Sequence, residues 1–260
     1  MIDQLANKTL GVIKLIIIDF LKFQETKGLE NDQLRNVYNV ILFKTIHSFE
    51  GAVFLLSNFS KKPFFQITFA SAMRDIISDL IIAEYLSLKS LDSSVDMDMV
   101  LEKLDADHFL FMYQKRKLNR EIFGHNEGYD EAENYFLNSM SQYLDKNGEI
   151  KKRYRKKSLV FDKISFINSR TKKESKGVVI FLYNWYFNSS KIAHLGGLTL
   201  KVIETRFSAT DQQSLMKNYK DLIFMTLAFC SGMLIKVSNN LEVNPEIEKG
   251  IKEILELKVP

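Results

Sequence analysis

FASAMRDIISDLIIAEYL, residues 69–86, decides the fold class of this chain. Its apolar residues recur every three to four positions, and Arg74, Asp75, Ser78 and Asp79 form a narrow polar stripe because positions four apart share a helix face. The stretch contains neither glycine nor proline, so it predicts a long helix. The stripe has two interpretations. It is the solvent face of an amphipathic helix, or a polar cluster buried between helices, in which Arg74 needs a carboxylate partner such as Asp79, Glu50 or Asp107.

The same helical period continues along the rest of the chain. Three prolines and eleven glycines in 260 residues leave long stretches uninterrupted. The period predicts helices at residues 3–24, 32–59, 65–90, 95–121, 129–146, 176–194, 211–240 and 245–257. Expected N-caps are Asn31 or Asp32, Ser208 or Thr210, and Asn244 with Pro245 after it. We therefore expect an all-α protein built as a single bundle of long antiparallel helices.

Most of the excess positive charge lies in one segment. The net charge is +4, and KNGEIKKRYRKK and RTKKESK place the excess between Lys146 and Lys176. In the same region SLVFDKISFI is expected to be a loop or one arm of a hairpin. The sequence therefore predicts one helical domain over residues 1–260 with an irregular basic insertion at 146–175, and a two-part division there is the alternative.

Composition also bears on the compartment. Cys230 is the single cysteine, so the chain forms no internal disulfide, which fits a reducing cytoplasm. The N-terminal LGVIKLIIIDFLKF lacks the basic start and the cleavage site of a signal peptide. The apolar run between Asp221 and Lys236 is shorter than the roughly 20 residues that span a bilayer. We therefore expect a cytoplasmic protein without a membrane segment.

Several common enzyme classes lack their motifs here. The sequence contains no P-loop, no dinucleotide-binding glycine fingerprint, no nucleophile elbow and no HExxH. Of the four histidines, only His108 follows a carboxylate, Asp105, by three residues on one helix face. A di-iron bundle needs two Glu-x-x-His pairs and further glutamates. The sequence therefore predicts no metal site and no cofactor.

The segment NREIFGH places Arg120 and His125 at Arg-x4-His spacing. Such a pair suits RNA cleavage without a metal, with the histidine as general base or acid and the arginine on the phosphate. The spacing resembles the motif of the HEPN ribonucleases, helical proteins common in bacterial toxin and defence systems. That resemblance implies a metal-independent ribonuclease with its site across a homodimer interface. Glu121 departs from the small polar residue that the family favours there, and Gly124 is expected to end the helix early. The alternative is an exposed pair at a frayed helix end.

The run KKRYRKK, residues 151–157, is a candidate RNA-binding segment. Its cations include Lys151, Lys152, Arg153 and Arg155, which suit contacts to a phosphate backbone while Tyr154 stacks on a base. The alternative is a solvated, partly disordered loop.

A late helix carries LYNWYFNSSKIAH, in which Tyr183, Tyr186, Ser190 and His194 share one face. A serine and a histidine one turn apart on a helix point in nearly the same direction, and no third group orients them. We therefore expect a structural role for this row rather than a Ser–His hydrolase.

Taken in order, these segments resemble an uncharacterised helical family of bacterial proteins, domain of unknown function 5677. The resemblance covers about residues 40–200 and begins with His47 in one helix. Its members carry an arginine with a following acid on an apolar helix, and later a tyrosine and a serine ahead of a histidine. The matching positions are Arg74, Asp79 or Asp75, Tyr186 or Tyr183, Ser190 and His194, although the family more often has Glu as the acid. The resemblance implies a bundle in which the arginine, the acid and the histidine meet.

Two hypotheses of function follow. The first is a bacterial ribonuclease of a toxin or defence system that acts on RNA or a nucleotide. It uses Arg120 with His125, or Arg74 with His194, and is aided by the basic run. The second is a non-enzymatic helical module that binds a protein partner.

Overall fold

The computed structural model describes residues 2–26, 32–58, 65–124, 127–155, 159–172, 176–193, 212–238 and 244–257. Over these ranges the chain forms nine α-helices and no β-strand. The all-α prediction is confirmed.

The helices follow the predicted periods closely. They are α1 Ile2–Thr26, α2 Gln33–Leu56, α3 Phe65–Ser90, α4 Met97–Phe123, α5 Glu127–Ser139, α6 Val160–Arg170, α7 Lys176–Ala193, α8 Gln212–Ser238 and α9 Pro245–Glu256. Two single 3₁₀ turns lie at Ser141–Tyr143 and Lys152–Tyr154. The predicted helix at 129–146 is too long, because α5 ends at Ser139.

The segment SLVFDKISFI, expected to be a loop or a hairpin arm, is largely helical and belongs to α6. Its buried residues Ile164 and Ile167 are three positions apart and so share one helix face. Asp162 accepts a hydrogen bond from the backbone N–H of Leu159 at 3.1 Å and satisfies a donor at the start of the helix. The prediction of an irregular segment at 146–175 is therefore wrong for residues 160–170.

Three helix ends confirm their sequence signals. Asp32 is the N-cap of α2, and its side chain accepts a hydrogen bond from the N–H of Arg35 at 3.0 Å. Asn244 caps α9 ahead of Pro245. Gly124 takes a φ of +71° and ends α4, a conformation that glycine adopts without steric cost. The caps expected at Ser208 or Thr210 lie outside the described residues.

The chain divides into two compact units, residues 1–88 with 164–260, and residues 89–163. They are called the larger unit and the smaller unit below. That residues 1–260 form one domain stays a prediction.

In the larger unit, α1 and α2 form an antiparallel hairpin. Gln24, near the end of α1, donates to Asn39, near the start of α2, at 2.8 Å. One turn further from the hairpin loop, the rings of Phe20 and Phe43 lie 6.4 Å apart. Because the contacting residue moves back along α1 as it moves forward along α2, the two helices are antiparallel.

Helix α9 packs antiparallel to α1 and closes the unit. Lys8 pairs with Glu253 at 2.6 Å, and Val12 lies against Gly250 one turn along. The face of α9 that it buries consists of Ile247, Ile251 and Ile254, at the spacing of a helix stripe.

Helix α8 runs through the core and is parallel to α3. Tyr219 near its start packs edge-on against Phe69 of α3, with ring centres 5.1 Å apart, and contacts Trp185 of α7 at 5.9 Å. At the other end, Lys236 donates to Ser87, near the end of α3.

The smaller unit is built on aromatic packing. Phe109 and Tyr113 of α4 pack with Tyr143 and Tyr154 from the segment after α5, and all four are buried. An isolated bridge joins Leu144 and Ile150 and folds that segment back on itself.

Two helical stretches of the larger unit, Gln33–Leu56 and Lys217–Ser238, are long and apolar enough to cross a membrane. The run near Asp221–Lys236, judged too short from the sequence, therefore lies within a helix of spanning length. Half of each apolar window is buried inside the protein, and buried core helices have the same composition. The absence of a membrane segment stays a prediction.

Candidate functional site

The polar stripe of α3 divides into two separate pairs. Arg74 donates from Nε and Nη2 to Asp75 Oδ1 at 3.0 and 2.7 Å. Asp79 instead accepts from Lys44 of α2, with Nζ 3.0 Å from Oδ1 and 2.8 Å from Oδ2. Arg74 thus pairs with Asp75 and not with Asp79, one of the partners that the sequence suggested.

Asp79 is the member of the stripe that packing encloses. Its side chain is 14% exposed, whereas that of its partner Lys44 is 57% exposed. Burial raises the pKa of Asp79 above its usual value, and the hydrogen bond and charge of Lys44 oppose that rise. The stripe therefore joins α3 to α2 through Asp79 and faces outward at Asp75, which is exposed.

The row on α7 is tied to its own backbone where the structure describes it. The Ser190 hydroxyl donates to the carbonyl oxygen of Tyr186 at 2.8 Å, a bond within one helical turn. Tyr183 stacks on Phe187, with ring centres 6.0 Å apart. These contacts agree with a structural role for the row, while His194 lies outside the described residues.

Arg120 lies on the last turn of α4 in the smaller unit, whereas Arg74 lies in the larger unit. The Nη2 atom of Arg120 lies 3.4 Å from Asp130 Oδ1 of α5, and the side chain of Arg120 is 42% exposed. Because Gly124 ends α4, the Arg-x4-His segment does not continue as one helix to His125. His125 itself lies outside the described residues.

The basic run makes contacts within its own unit. Lys151 donates to the carbonyl of Gln142 at 2.6 Å, and Arg155 donates to that of Ile150 at 2.9 Å. Lys152 is exposed. The first part of the run, through Arg155, is therefore an ordered turn against the smaller unit rather than the solvated loop of the alternative prediction.

Tyr154 anchors this turn. Its side chain is 3% exposed, and its hydroxyl donates to Glu102 Oε1 of α4. Arg153 lies over its ring at 4.5 Å from the centre and pairs with the same carboxylate at 3.1 Å. Its ring also packs edge-on against Tyr143 at 5.2 Å. The prediction that Tyr154 stacks on a base is wrong, because the core already covers the ring.

Acidic residues balance the basic run in the smaller unit. Residues 89–163 contain fourteen Lys and Arg and fourteen Asp and Glu, so their formal charge is zero. Glu102 forms an ion pair with Arg153, and Asp130 forms one with Arg120. A high local density of positive charge in the sequence therefore does not make the whole unit basic, as phosphate binding usually requires.

A groove of about 250 Å³ lies between α3 and α8 of the larger unit. Ala83, Ala228, Phe229, Gly232 and Met233 form most of its walls, and Glu84 and Lys236 are its charged residues. Burial lowers the pKa of Lys236, and the charge of Glu84 opposes that change. The groove is smaller than typical ligand pockets of about 300–1,000 Å³ and contains none of the residues predicted as site residues.

No group of three or more His, Cys, Asp or Glu side chains in the described part of the chain is placed to hold a metal ion. Asp105 and His108 both lie at exposed positions of α4, where partial desolvation of its carboxyl group raises the pKa of Asp105 and the charge of His108 opposes that rise.

A surface feature that sequence reasoning missed lies on α2. The inner face of this helix is buried from Tyr38 to Leu56. On the opposite side a second set of residues shares one face at spacings of three and four, called the outer face of α2. It consists of Val40, Phe43, Lys44, His47, Glu50, Gly51 and Phe54.

The outer face of α2 is apolar at both ends. Val40 is 64% exposed, Phe43 53% and Phe54 63%. Phe43 also holds the ring of His47 edge-on at 4.5 Å. Single exposed apolar residues are common on soluble proteins, and three of them along one helix face make this face a candidate contact surface.

No family model matches this chain, and no curated protein and no solved structure matches it. The resemblances to domain of unknown function 5677 and to the HEPN ribonucleases remain predictions that rest on the motifs quoted above.

Proposed function

We propose that this chain is a cytoplasmic, non-enzymatic helical module that binds a protein partner through the outer face of α2. The observation that supports this proposal is that α2 carries apolar side chains on two opposite faces while the described part of the chain buries only one of them. A helix with apolar side chains on two opposite faces commonly packs against a neighbour on each of them. The exposed side therefore calls for a covering partner.

The charged residues on the same face favour a protein over a lipid surface. Lys44 and Glu50 lie near the middle of α2, which spans residues 33–56. If α2 crossed a bilayer, these side chains would lie near its centre, where a Lys or an Asp costs about 2.5–3.5 kcal/mol. At a protein interface the same side chains find partners of opposite charge.

The contacts of the predicted catalytic residues give less support to an enzymatic function. Arg74 and Arg120 each pair with an acid of their own unit, and Ser190 donates to its own helix. Each of these contacts has an ordinary structural explanation. A protein-binding role requires none of these groups to react.

A photo-crosslinking amino acid at Phe54 tests the proposal in cells. Phe54 is 63% exposed, so the replacement leaves the core untouched. We expect covalent protein adducts that Val40→Asp abolishes, because both positions lie on the outer face. Ile180→Asp is the matched control, since Ile180 is 56% exposed on α7, and it should leave the adducts unchanged.

Two outcomes contradict the proposal. Protein adducts that are absent, or equally abundant with Val40→Asp, remove the outer face as a protein contact. Flotation of the purified chain with vesicles of anionic and neutral lipids, lost on Val40→Asp, shows a lipid-facing surface instead.

The ribonuclease is a second proposal, favoured by one observation. The side chain of Arg120 is 42% exposed at the end of α4, five residues before His125, where a phosphate would compete with Asp130 for the guanidinium. Incubating RNA with the wild type, Arg120→Ala, His125→Ala and His194→Ala tests this proposal. Cleavage that continues without divalent metal and is lost with Arg120→Ala and His125→Ala supports it, and RNA left intact by the wild type contradicts it.

A further inference from the structure

We infer that the partner of the outer face of α2 is a second copy of this chain, packed antiparallel about a two-fold axis at His47. The inference rests on the proposed interaction function and names its partner. A two-fold interface brings the same patch of both copies together, so the patch must be complementary to itself.

The spacing along α2 has this self-complementarity. The outer face extends three, four and seven residues to either side of His47. In an antiparallel pair centred there, each residue before His47 meets the residue equally far after it in the second copy. Val40 then meets Phe54, Phe43 meets Gly51, and Lys44 meets Glu50.

Charge selects the antiparallel arrangement over the parallel one. Lys44 is 57% exposed and already holds Asp79, while Glu50 is half-buried with no ion pair or hydrogen bond among the described residues. The antiparallel pair gives Glu50 a cation from the second copy. A parallel pair would set Lys44 against Lys44 and Glu50 against Glu50, which costs energy at a closed interface.

Size complementarity points the same way. A Cβ added to Gly51 meets nothing within 4 Å in the described part of its own chain, so no packing seen there requires a glycine at this position. Glycine in the middle of a helix costs roughly 0.5–1 kcal/mol relative to alanine. Across the two-fold axis that open space receives Phe43, whose ring is 53% exposed. A large side chain thereby fills the space left by a small one, as knobs fit holes between packed helices.

The contact is a single helix pair, smaller than a standard interface of about 1,600 Å². We therefore expect a weak dimer, with a Kd on the order of micromolar, and an experiment at several concentrations across that range.

Sedimentation equilibrium of the full chain tests the dimer. The wild type should shift from monomer to dimer with concentration. Gly51→Leu should raise the Kd about tenfold or more, because the new side chain meets Phe43 of the second copy. Its melting temperature should not fall, since the site is open in the monomer and leucine is a good helix former. The double variant Gly51→Leu with Phe43→Ala exchanges large and small positions and should recover most of the affinity.

Crosslinking tests the register. His47→Cys lies on the two-fold axis and should crosslink to itself with a short bismaleimide. Val40→Cys should not crosslink alone but should do so when mixed with Phe54→Cys. The native Cys230 is buried and does not compete, because burial raises the pKa of its thiol to about 12.

The outcomes separate this inference from the proposed function. A chain that stays monomeric at high concentration, or that crosslinks through Val40→Cys alone, overturns the antiparallel dimer. If the adducts formed at Phe54 in cells then contain another protein, the interaction function stands and only the identity of its partner changes. If those adducts are absent as well, both proposals fail.

Discussion

Replacing Tyr154 decides whether the basic run is an anchor of the smaller unit or a surface for RNA. Its ring is 3% exposed, and its hydroxyl donates to Glu102. If the anchor is structural, Tyr154 variants lower stability, whereas Lys152→Ala, at an exposed neighbour in the same turn, leaves it unchanged.

The two parts of the side chain contribute separately. Tyr154→Phe removes the hydroxyl and its bond to a charged acceptor, which costs about 1.5–3 kcal/mol. Tyr154→Ala also removes the ring from contacts with Tyr143 and the rest of the aromatic core, and large aromatic deletions of this kind cost about 3–5 kcal/mol. We therefore expect Phe to lie between the wild type and Ala in free energy of unfolding.

The loss for Tyr154→Phe should also depend on pH. Burial, and then the bond to Glu102, raise the pKa of Tyr154 above 10.0. A raised pKa means that the hydroxyl contributes its full stability below the pKa of the unfolded chain, and that the contribution is lost as the pH rises through the folded pKa. The difference between the wild type and Tyr154→Phe should therefore shrink above about pH 10.

Urea unfolding followed by circular dichroism measures these differences, with an RNA-binding assay on the same samples. A Tyr154→Ala variant as stable as the wild type refutes the anchor. So does a variant that keeps its stability and loses salt-dependent RNA binding, because the ring would then serve the ligand.

Three further predictions concern the larger unit. Lys44→Ala should lower the free energy of unfolding in urea by about 1–3 kcal/mol, because it leaves the enclosed carboxylate of Asp79 unpaired. Asp79→Asn should lower it by less than about 1 kcal/mol, because the Lys44 side chain that loses its partner is 57% exposed. Since the pKa of Asp79 is raised above 3.8, the Lys44→Ala deficit should grow as the pH rises from 3 to 7, and a constant deficit contradicts this account. Gly250→Ala should lower stability by about 1–3 kcal/mol, because its Cβ would lie 2.5 Å from Val12 Cγ2, and an unchanged melting temperature opposes this. Cys230 should resist iodoacetamide until the chain unfolds, and rapid labelling of the native chain at pH 8 would disprove its burial.

Local signals in the sequence carried most of the fold. The predicted helix at 65–90 has the bounds of α3, and the caps at Asp32 and Asn244 are in place, because helix period and capping depend on neighbouring residues. The helix α6 was missed for the same reason. Its stripe of Ile164 and Ile167 is short, and the adjacent basic run suggested a loop.

The pairing of charged side chains was beyond local signals. From the sequence, Asp75 and Asp79 are equally plausible partners for Arg74. In the structure Arg74 pairs with Asp75, and Asp79 pairs with Lys44, which lies 35 residues earlier in the chain. Likewise, the residues near Tyr154 in the sequence do not predict its hydrogen bond to Glu102, which lies 52 residues earlier. Such choices depend on which helices pack together, and packing is a property of the whole chain.

Sequence reasoning missed the outer face of α2 because hydrophobic periodicity assigns every apolar position of a helix to the protein core. It does not distinguish a face that packs within the chain from a second apolar face that stays exposed. A helix with one apolar face has a clear period, but a second apolar face opposite the first weakens it, so α2 reads only as more hydrophobic. That is also why its composition passes the test for a membrane helix. Packing removes the ambiguity by showing which half the chain leaves uncovered. The charges on that half then favour a protein environment, because Lys44 of one copy can pair with Glu50 of the other across a two-fold axis, whereas Glu50 would gain no cation from lipid tails.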